Sequence, residues 1–299
     1  MSEEYIPKST KKTLSTGVKS LDILLEGGIP RGLQTGVFSG ANIGKSFLAR
    51  QIGCFTCLPE KLGGLEQPVL VIDTEGDYEK DVMDRTYEIF SKRWNVPKSQ
   101  FSFDIIKAPK IQELVSNLGA DMKIDNKTES GKLDVHFVYQ NTEEKQGKQK
   151  VYKDYYESSN IFSLVEKNKY PLIILDSLSE PIKSAFPPSV YNFPARSYVF
   201  KFILTGLRTI AQKFNTSVFI TNHVSKSDMN YMDKGSPFGA ESLMYSLKSL
   251  LYIRRGKSEQ QNMYGKQVRR VELYRLSMKL EEEILLSLKD NYGFAEVSE

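Results

Sequence analysis

Ser39-Gly40-Ala41-Asn42-Ile43-Gly44-Lys45-Ser46 stands between a short apolar run, Thr35-Gly36-Val37-Phe38, and a helical pattern, Phe47-Leu48-Ala49-Arg50-Gln51-Ile52. A strand, a glycine-bearing loop, Gly-Lys-Ser and a helix, in that order, make a phosphate cradle. Backbone N–H groups of the loop and of the helix N-terminus point at one spot and favour an anion there. Residues 39–47, Ser39 through Phe47, are therefore the expected nucleotide-binding segment. Lys45 is expected to reach the β- and γ-phosphates of ATP, and the Ser46 hydroxyl to bind Mg²⁺. The pattern departs from G-x-x-x-x-G-K-[ST] at its first position, where Ser39 replaces glycine. Gly40, one place later, is expected to supply the flexibility. The alternative is a chance Gly-Lys-Ser in a turn, and the strand ends described below argue against it.

The 299 residues are 40% hydrophobic and 26% charged, an ordinary globular balance with enough chain for one large or two smaller cores. A net charge of +4 permits nucleic acid binding without requiring it. No apolar run approaches the ~20 residues of a membrane span, and residues 1–7 lack a signal-peptide pattern. With only two cysteines, a reducing, cytoplasmic setting is expected. Those two, Cys54 and Cys57, lie on the apolar continuation of the Gly-Lys-Ser helix. Zinc wants four ligands, and His136 and His223 are distant in sequence, so buried packing is the expected role.

Residues 1–13 are polar and basic and predict a flexible arm; residues 14–299 predict the folded domain. Residues 14–25 predict a short amphipathic helix, closed by a turn at Gly27-Gly28-Ile29-Pro30-Arg31-Gly32. Val69-Leu70-Val71-Ile72-Asp73 and Pro171-Leu172-Ile173-Ile174-Leu175-Asp176-Ser177 are continuous apolar runs, the kind buried on both faces of a parallel sheet. Ser217-Val218-Phe219-Ile220-Thr221-Asn222-His223 is a third. Residues 111–122 and 195–214 read as helices. Residues 179–194, with four prolines, read as a loop. Residues 123–158 change character to Lys, Asp, Glu, Gln and Gly around one alternating piece, residues 133–139, which predicts an inserted β-hairpin with charged flanks. Residues 249–254, 268–279 and 282–288 predict antiparallel strands. Alternating strands and helices indicate an α/β fold, a largely parallel twisted sheet between helices.

Open parallel sheets place ligands beyond the carboxyl ends of their strands. Here those ends carry Asp73 with Glu75, Asp176 with Ser177, and Thr221 with His223. Asp176 is the natural acidic partner of the Mg²⁺ shell. Glu75 is placed to orient and deprotonate an attacking water. His223 is expected to hydrogen-bond the γ-phosphate and signal its presence to the adjoining loop. Lys45, Glu75 and His223 are thus the catalytic candidates, with Ser46 and Asp176 as metal ligands.

These stretches, together with residues 14–22, Gly27-Gly28-Ile29-Pro30-Arg31-Gly32, Phe238-Gly239-Ala240-Glu241, Leu251-Tyr252-Ile253-Arg254-Arg255 and Asn291-Tyr292-Gly293-Phe294, resemble the RecA/RadA recombinase superfamily, most closely its archaeal RadA/RadB branch. The resemblance covers nearly all the chain apart from the arm and the 123–158 insert. It implies a RecA-like P-loop ATPase core with Glu75 as the catalytic carboxylate and Asp176 as the Walker B acid. His223 stands where the family usually has the glutamine that senses the γ-phosphate. Two loops, 181–194 and 225–238, match those that touch DNA, and Arg196 matches the arginine heading the next helix. The region before Gly17 is expected to leave no room for the N-terminal helical domain of full-length RadA-like recombinases, and their Phe-x-x-Ala polymerisation element is not visible in residues 1–13. These departures imply a RadB-like paralogue rather than the main strand-exchange enzyme.

The loops carry chemistry that agrees with nucleic acid. Lys183, Phe186, Tyr191, Phe193 and Arg196 lie in or beside the first, and Lys226, Tyr231 and Lys234 in the second. Aromatic faces stack on exposed bases while cations track phosphates; the alternative is that aromatics beside prolines pack on the core. The expectation is a Mg²⁺-dependent ATPase that binds single-stranded DNA and assists homologous recombination or repair, with a recombinase or other paralogue as a further partner and room for self-association. A KaiC-like regulatory ATPase and a non-hydrolysing ATP-binding scaffold are the alternatives.

Overall fold

In the computed structural model, the described residues are 7–126, 132–140, 155–225, 235–276 and 282–297. The strands are β1 (Thr13–Leu14), β2 (Ile29–Pro30), β3 (Gln34–Ser39), β4 (Val69–Asp73), β5 (Phe103–Lys107), β6 (Ala120–Asn126), β7 (Leu133–Tyr139), β8 (Leu172–Asp176), β9 (Ser217–His223), β10 (Ser249–Arg255), β11 (Val268–Leu276), β12 (Glu283–Lys289) and β13 (Gly293–Glu296). The α-helices are α1 (Lys19–Leu24), α2 (Lys45–Cys57), α3 (Lys80–Trp94), α4 (Ile111–Asn117), α5 (Asn160–Asn168), α6 (Ser179–Ala185), α7 (Phe193–Phe214), α8 (Ala240–Ser246) and α9 (Ser258–Tyr264).

One sheet dominates, in the order β13-β12-β11-β10-β3-β9-β8-β4-β5. From β10 to β5 the neighbours run parallel. From β10 to β13 they run antiparallel, as the pattern at the chain's end predicts. The central strands are apolar on both faces because each face carries helices. In β8, Ile173 and Leu175 join the core beneath α4, α5 and α7, while Leu172 and Ile174 join the core with α2 and α3. Two-residue periodicity thus splits one unbroken apolar run between two cores. The parallel register also matters: Asp73 lies opposite Asp176, and Ser39 opposite His223, so the polar strand ends share one edge.

Four local expectations change. Residues 14–25 are not one helix. Leu14 pairs with Ile29, and Asp22 accepts hydrogen bonds from Ser15 Oγ, Thr16 N and Thr16 Oγ1 at 2.5–2.7 Å. Those side chains offer the backbone an alternative to the first helical turns. The helix after residue 111 stops at Asn117, and Gly119 at φ 95° turns the chain, so the hairpin starts at Ala120 rather than 123. The stretch 179–194 is not simply a loop, because it opens with α6. Pro181 falls in the first turn of α6, where its missing N–H costs no helical bond. Finally, the arm is tied down where it is described: Ser9 is buried and its N–H donates to Gly63 O at 2.7 Å.

Cys54 and Cys57 are buried and unpaired, and burial pushes both thiols up, as packing residues would show. Among the described residues, no helix is long and apolar enough to cross a membrane.

Candidate nucleotide and nucleic-acid site

The glycine requirement of the cradle falls on Gly44. Its φ is 116°, and a Cβ there would lie 2.8 Å from Leu288 Cδ2 and 3.0 Å from Phe294 Cζ. At Gly40 a Cβ would meet only Ile43, at 3.9 Å. Ser39 is the last residue of β3 and a buried one. The missing first glycine therefore creates no clash in this loop. Lys45 is buried and donates from Nζ to Ser39 Oγ (3.2 Å), Gly40 O (3.1 Å) and Ser39 O (3.5 Å), folded back over its own loop. Burial lowers its pKa, and the Asp176 and Glu75 charges oppose the shift. Arg269, from β11, donates Nε to Ile43 O at 3.1 Å and props the loop from the antiparallel side. Nothing in the local sequence marks that arginine, because its reach across the sheet has no local signal.

Asp176 is fully buried at the end of β8. Its Oδ1 accepts hydrogen bonds from Thr221 Oγ1 and, at 3.3 Å, from Ser46 Oγ. Its Oδ2 makes no hydrogen bond of ordinary length, and the buried Tyr78 hydroxyl lies beside this carboxylate. Burial pushes this carboxyl up to about 6, with the nearby Asp77 and Glu75 charges adding to the rise. An oxygen-only pair with an unsatisfied buried carboxylate oxygen is what a hard divalent cation takes. Ser46 and Asp176 thus fit Mg²⁺.

Glu75 lies beyond the end of β4, on a turn built by its neighbour. Asp73 Oδ1 accepts from the N–H groups of Glu75, Gly76 and Asp77 at 2.8–3.2 Å, so Asp73 shapes the turn rather than facing the site. Glu75 Oε1 accepts from Ser177 Oγ and lies 3.0 Å from His223 Nε2. Burial alone would raise the Glu75 carboxyl; the bonds from His223 and Ser177, with the His223 and Lys45 charges, outweigh it and hold its pKa low. Ser177 is itself fixed by Thr74, whose Oγ1 accepts from Ser177 N at 2.7 Å and donates to Ser177 O at 2.8 Å. The carboxylate of Glu180, in the first turn of α6, joins the cluster: the ligand atoms of Glu75, Glu180 and His223 lie within 4.8 Å of one another. The sequence marks Ser177 only as a polar strand end and gives Thr74 and Glu180 no role; only the alignment of β4 with β8 brings them together.

The two candidate nucleic-acid loops meet beside His223. The second leaves His223 and returns to it. Phe238 N donates to His223 O at 2.8 Å, Asn222 Nδ2 donates to Phe238 O at 2.8 Å, and Val224 bridges Pro237. Lys226, Tyr231 and Lys234 lie outside the described residues. On the first loop, Tyr191 and Phe193 are each 56% exposed. Phe186 is instead buried in the core. Arg196 is only 8% exposed, and its guanidinium donates to the carbonyls of Phe186 and Pro187. It holds the loop's shape rather than lying open to solvent. Lys183 Nζ sits 5.0 Å from the Phe238 ring centroid. A cavity of about 580 Å³ opens between the loops, lined by Lys183, Phe193, Arg196, Phe200 and Phe238 among others. His136 stays on the hairpin, 3.8 Å from Asp125.

The chain matches the Rad51 family over residues 8–111 and 149–270. It is similar to the DNA repair and recombination protein RadA of Aeropyrum pernix, 24% identical over 250 residues that cover 82% of this chain and 64% of that protein. It is also similar to the RadA of Ignicoccus hospitalis, 25% identical over 254 residues, covering 82% of this chain and 63% of that one. The chain thus spans a little under two thirds of the length of these relatives. A solved structure described as the RadB recombinase superposes with a TM-score of 0.61 at 20% identity, covering 96% of this chain and all of that one, which shows a common fold.

Proposed function

The chain belongs to the Rad51 family, and from that premise we propose that it is a Mg²⁺-dependent, RecA-type ATPase that binds single-stranded DNA as a recombinase paralogue in recombination or repair. Members of the family are ATPases that use Mg²⁺. In this reading residues 14–299 act as one ATPase domain carrying an insertion whose hairpin starts at Ala120. The observation that carries the reading is convergence: Lys45, Ser46, Asp176, Glu75 and His223 come from four adjacent parallel strands and their following turns to one edge of the sheet.

Mg²⁺-bound ATP supplies the scissile phosphoanhydride. Backbone N–H groups of residues 40–46 cradle its phosphates, and Lys45 exchanges its contacts with Ser39 and Gly40 for phosphate oxygens. Ser46 and Asp176 would hold Mg²⁺, which would supply positive charge to the phosphate oxygens. Glu75 orients the attacking water and takes its proton. A carboxylate held by His223 and Ser177 is a weak base, so His223 must turn from Glu75 to the γ-phosphate before Glu75 is effective. The same movement reaches the second loop, whose returning end, Pro237 and Phe238, bonds to residues 222–224. Exposed Tyr191 and Phe193 supply faces on which bases stack.

The test is ATP turnover by the purified chain with and without oligo-dT. Turnover stimulated by the oligonucleotide is expected. Turnover indifferent to DNA would favour a KaiC-like regulator, and ATP binding without turnover would favour a scaffold.

A further inference from the structure

The match to the Rad51 family breaks after residue 111 and resumes at 149. The interval holds the hairpin β6–β7, a two-stranded sheet separate from the main one. Its inner face, with Met122, Ile124, Val135, Phe137 and Tyr139, packs on the core that includes α7. Phe137 stacks on Phe202 with ring centroids 4.3 Å apart and lies 4.9 Å from Tyr198. Its outer face shows Asp121, Lys123, Asp125 and His136, a mixture of charges that makes no basic track.

Among the described residues it is hydrogen-bonded to the first loop at Asn192. Leu133 N–H donates to Asn192 Oδ1 at 3.0 Å. The other end of the same amide, Nδ2, donates to Pro187 O at 3.3 Å, and that carbonyl also accepts from Arg196. Asn192 is 1% exposed and sits at the N-cap of α7, yet its side chain makes no capping bond. Its hydrogen-bonding capacity goes to the hairpin on one side and the loop on the other. The segment so held carries Val190, 67% exposed, between Asn192 and the prolines, with Tyr191 and Phe193 also facing outward.

We propose that the inserted hairpin is a splint for the first loop. Acting through Asn192, it holds residues 187–193 in the conformation that presents Tyr191 and Phe193 to single-stranded DNA. This rests on the DNA-binding reading above. A loop that must be ordered on binding loses conformational entropy at that moment, and one ordered beforehand does not. Asn192 is a positioning residue; Tyr191 and Phe193 make the contact.

The experiment compares the full chain with Asn192→Ala, Phe137→Ala and the double variant. Hydrogen exchange reads the loop and the hairpin separately, and fluorescence anisotropy reads binding of labelled oligo-dT in the presence of a non-hydrolysable ATP analogue. Asn192→Ala is expected to speed exchange in peptides covering 187–193 by roughly tenfold, to free the Leu133 amide that donates to Asn192, and to leave 134–139 unchanged, since it cuts the link without unseating the hairpin. Phe137→Ala is expected to speed both. Oligo-dT affinity should fall roughly tenfold in each single variant and no further in the double, because both act through one link. Affinity for the ATP analogue should not change, which also controls for folding; if Phe137→Ala fails to fold, Asn192→Ala alone decides. A loosened hairpin beside an unaltered 187–193 overturns the splint. So does undiminished affinity in the variants of a wild type that binds oligo-dT. A wild type that binds no oligo-dT overturns the DNA reading and the splint's purpose with it, while exchange separately decides whether the hairpin holds the loop.

Discussion

Asp176→Asn should make the metal-free protein more stable while removing its use of Mg²⁺. The buried carboxyl has a raised pKa in the fold, so the sign is that of a charge the fold resists. Stability is complete below the ordinary 3.8 and is lost as pH rises through about 6. At about 1.4 kcal/mol per pH unit, that rise costs the ionised, metal-free fold roughly 3 kcal/mol. Asparagine removes the charge and keeps an Oδ1 to accept from Thr221 and Ser46. Its Nδ2 inherits the place of an Oδ2 that makes no hydrogen bond of ordinary length in the wild type either, so the tally of unsatisfied polar atoms barely changes. The assay is urea unfolding in EDTA across pH 4–8. The variant should match the wild type near pH 4 and exceed it by about 2–3 kcal/mol at pH 8. Adding Mg²⁺ should stabilise the wild type at pH 8 and leave the variant unmoved. Parallel pH profiles for the two proteins, or a variant less stable at pH 8, would refute the reasoning.

Lys45→Ala should weaken ATP binding at least tenfold, read by titration with a fluorescent analogue; undiminished affinity and turnover in a folded variant would remove the P-loop assignment. Glu75→Gln should keep ATP affinity and slow turnover by about 10²–10⁴-fold, the range of a positioned base; turnover at the wild-type rate would move that role to another group. His223→Ala should shrink the difference in oligo-dT affinity between ADP and a non-hydrolysable ATP analogue, a difference expected at about 1–3 kcal/mol in the wild type. Equal DNA affinity in both nucleotide states of the wild type would sink the coupling.

The parts legible in the sequence are those written in local pattern. Unbroken apolar runs at 69–72, 172–175 and 218–220 announce strands covered on both faces, and Gly-Lys-Ser between a strand and a helix announces the cradle. Strand ends with Asp176, Glu75 and His223 could be placed at one edge because parallel strands share a direction. What alternation and motif do not encode is contact between distant segments. Asp73 and Glu75 both stand at the end of β4; a local turn spends Asp73 on backbone N–H groups, and only the packing of β4 near β8 and β9 brings Glu75 to Ser177 and His223. Arg196 reads as an open cation, and only the fold of 186–196 turns it inward onto two carbonyls. Asn192 carries no signal at all; its role exists because the hairpin lies on α7 and brings Leu133 N–H within 3.0 Å. Periodicity is a property of one segment and survives without its neighbours. A hydrogen bond between residues 59 positions apart belongs to the packed molecule alone.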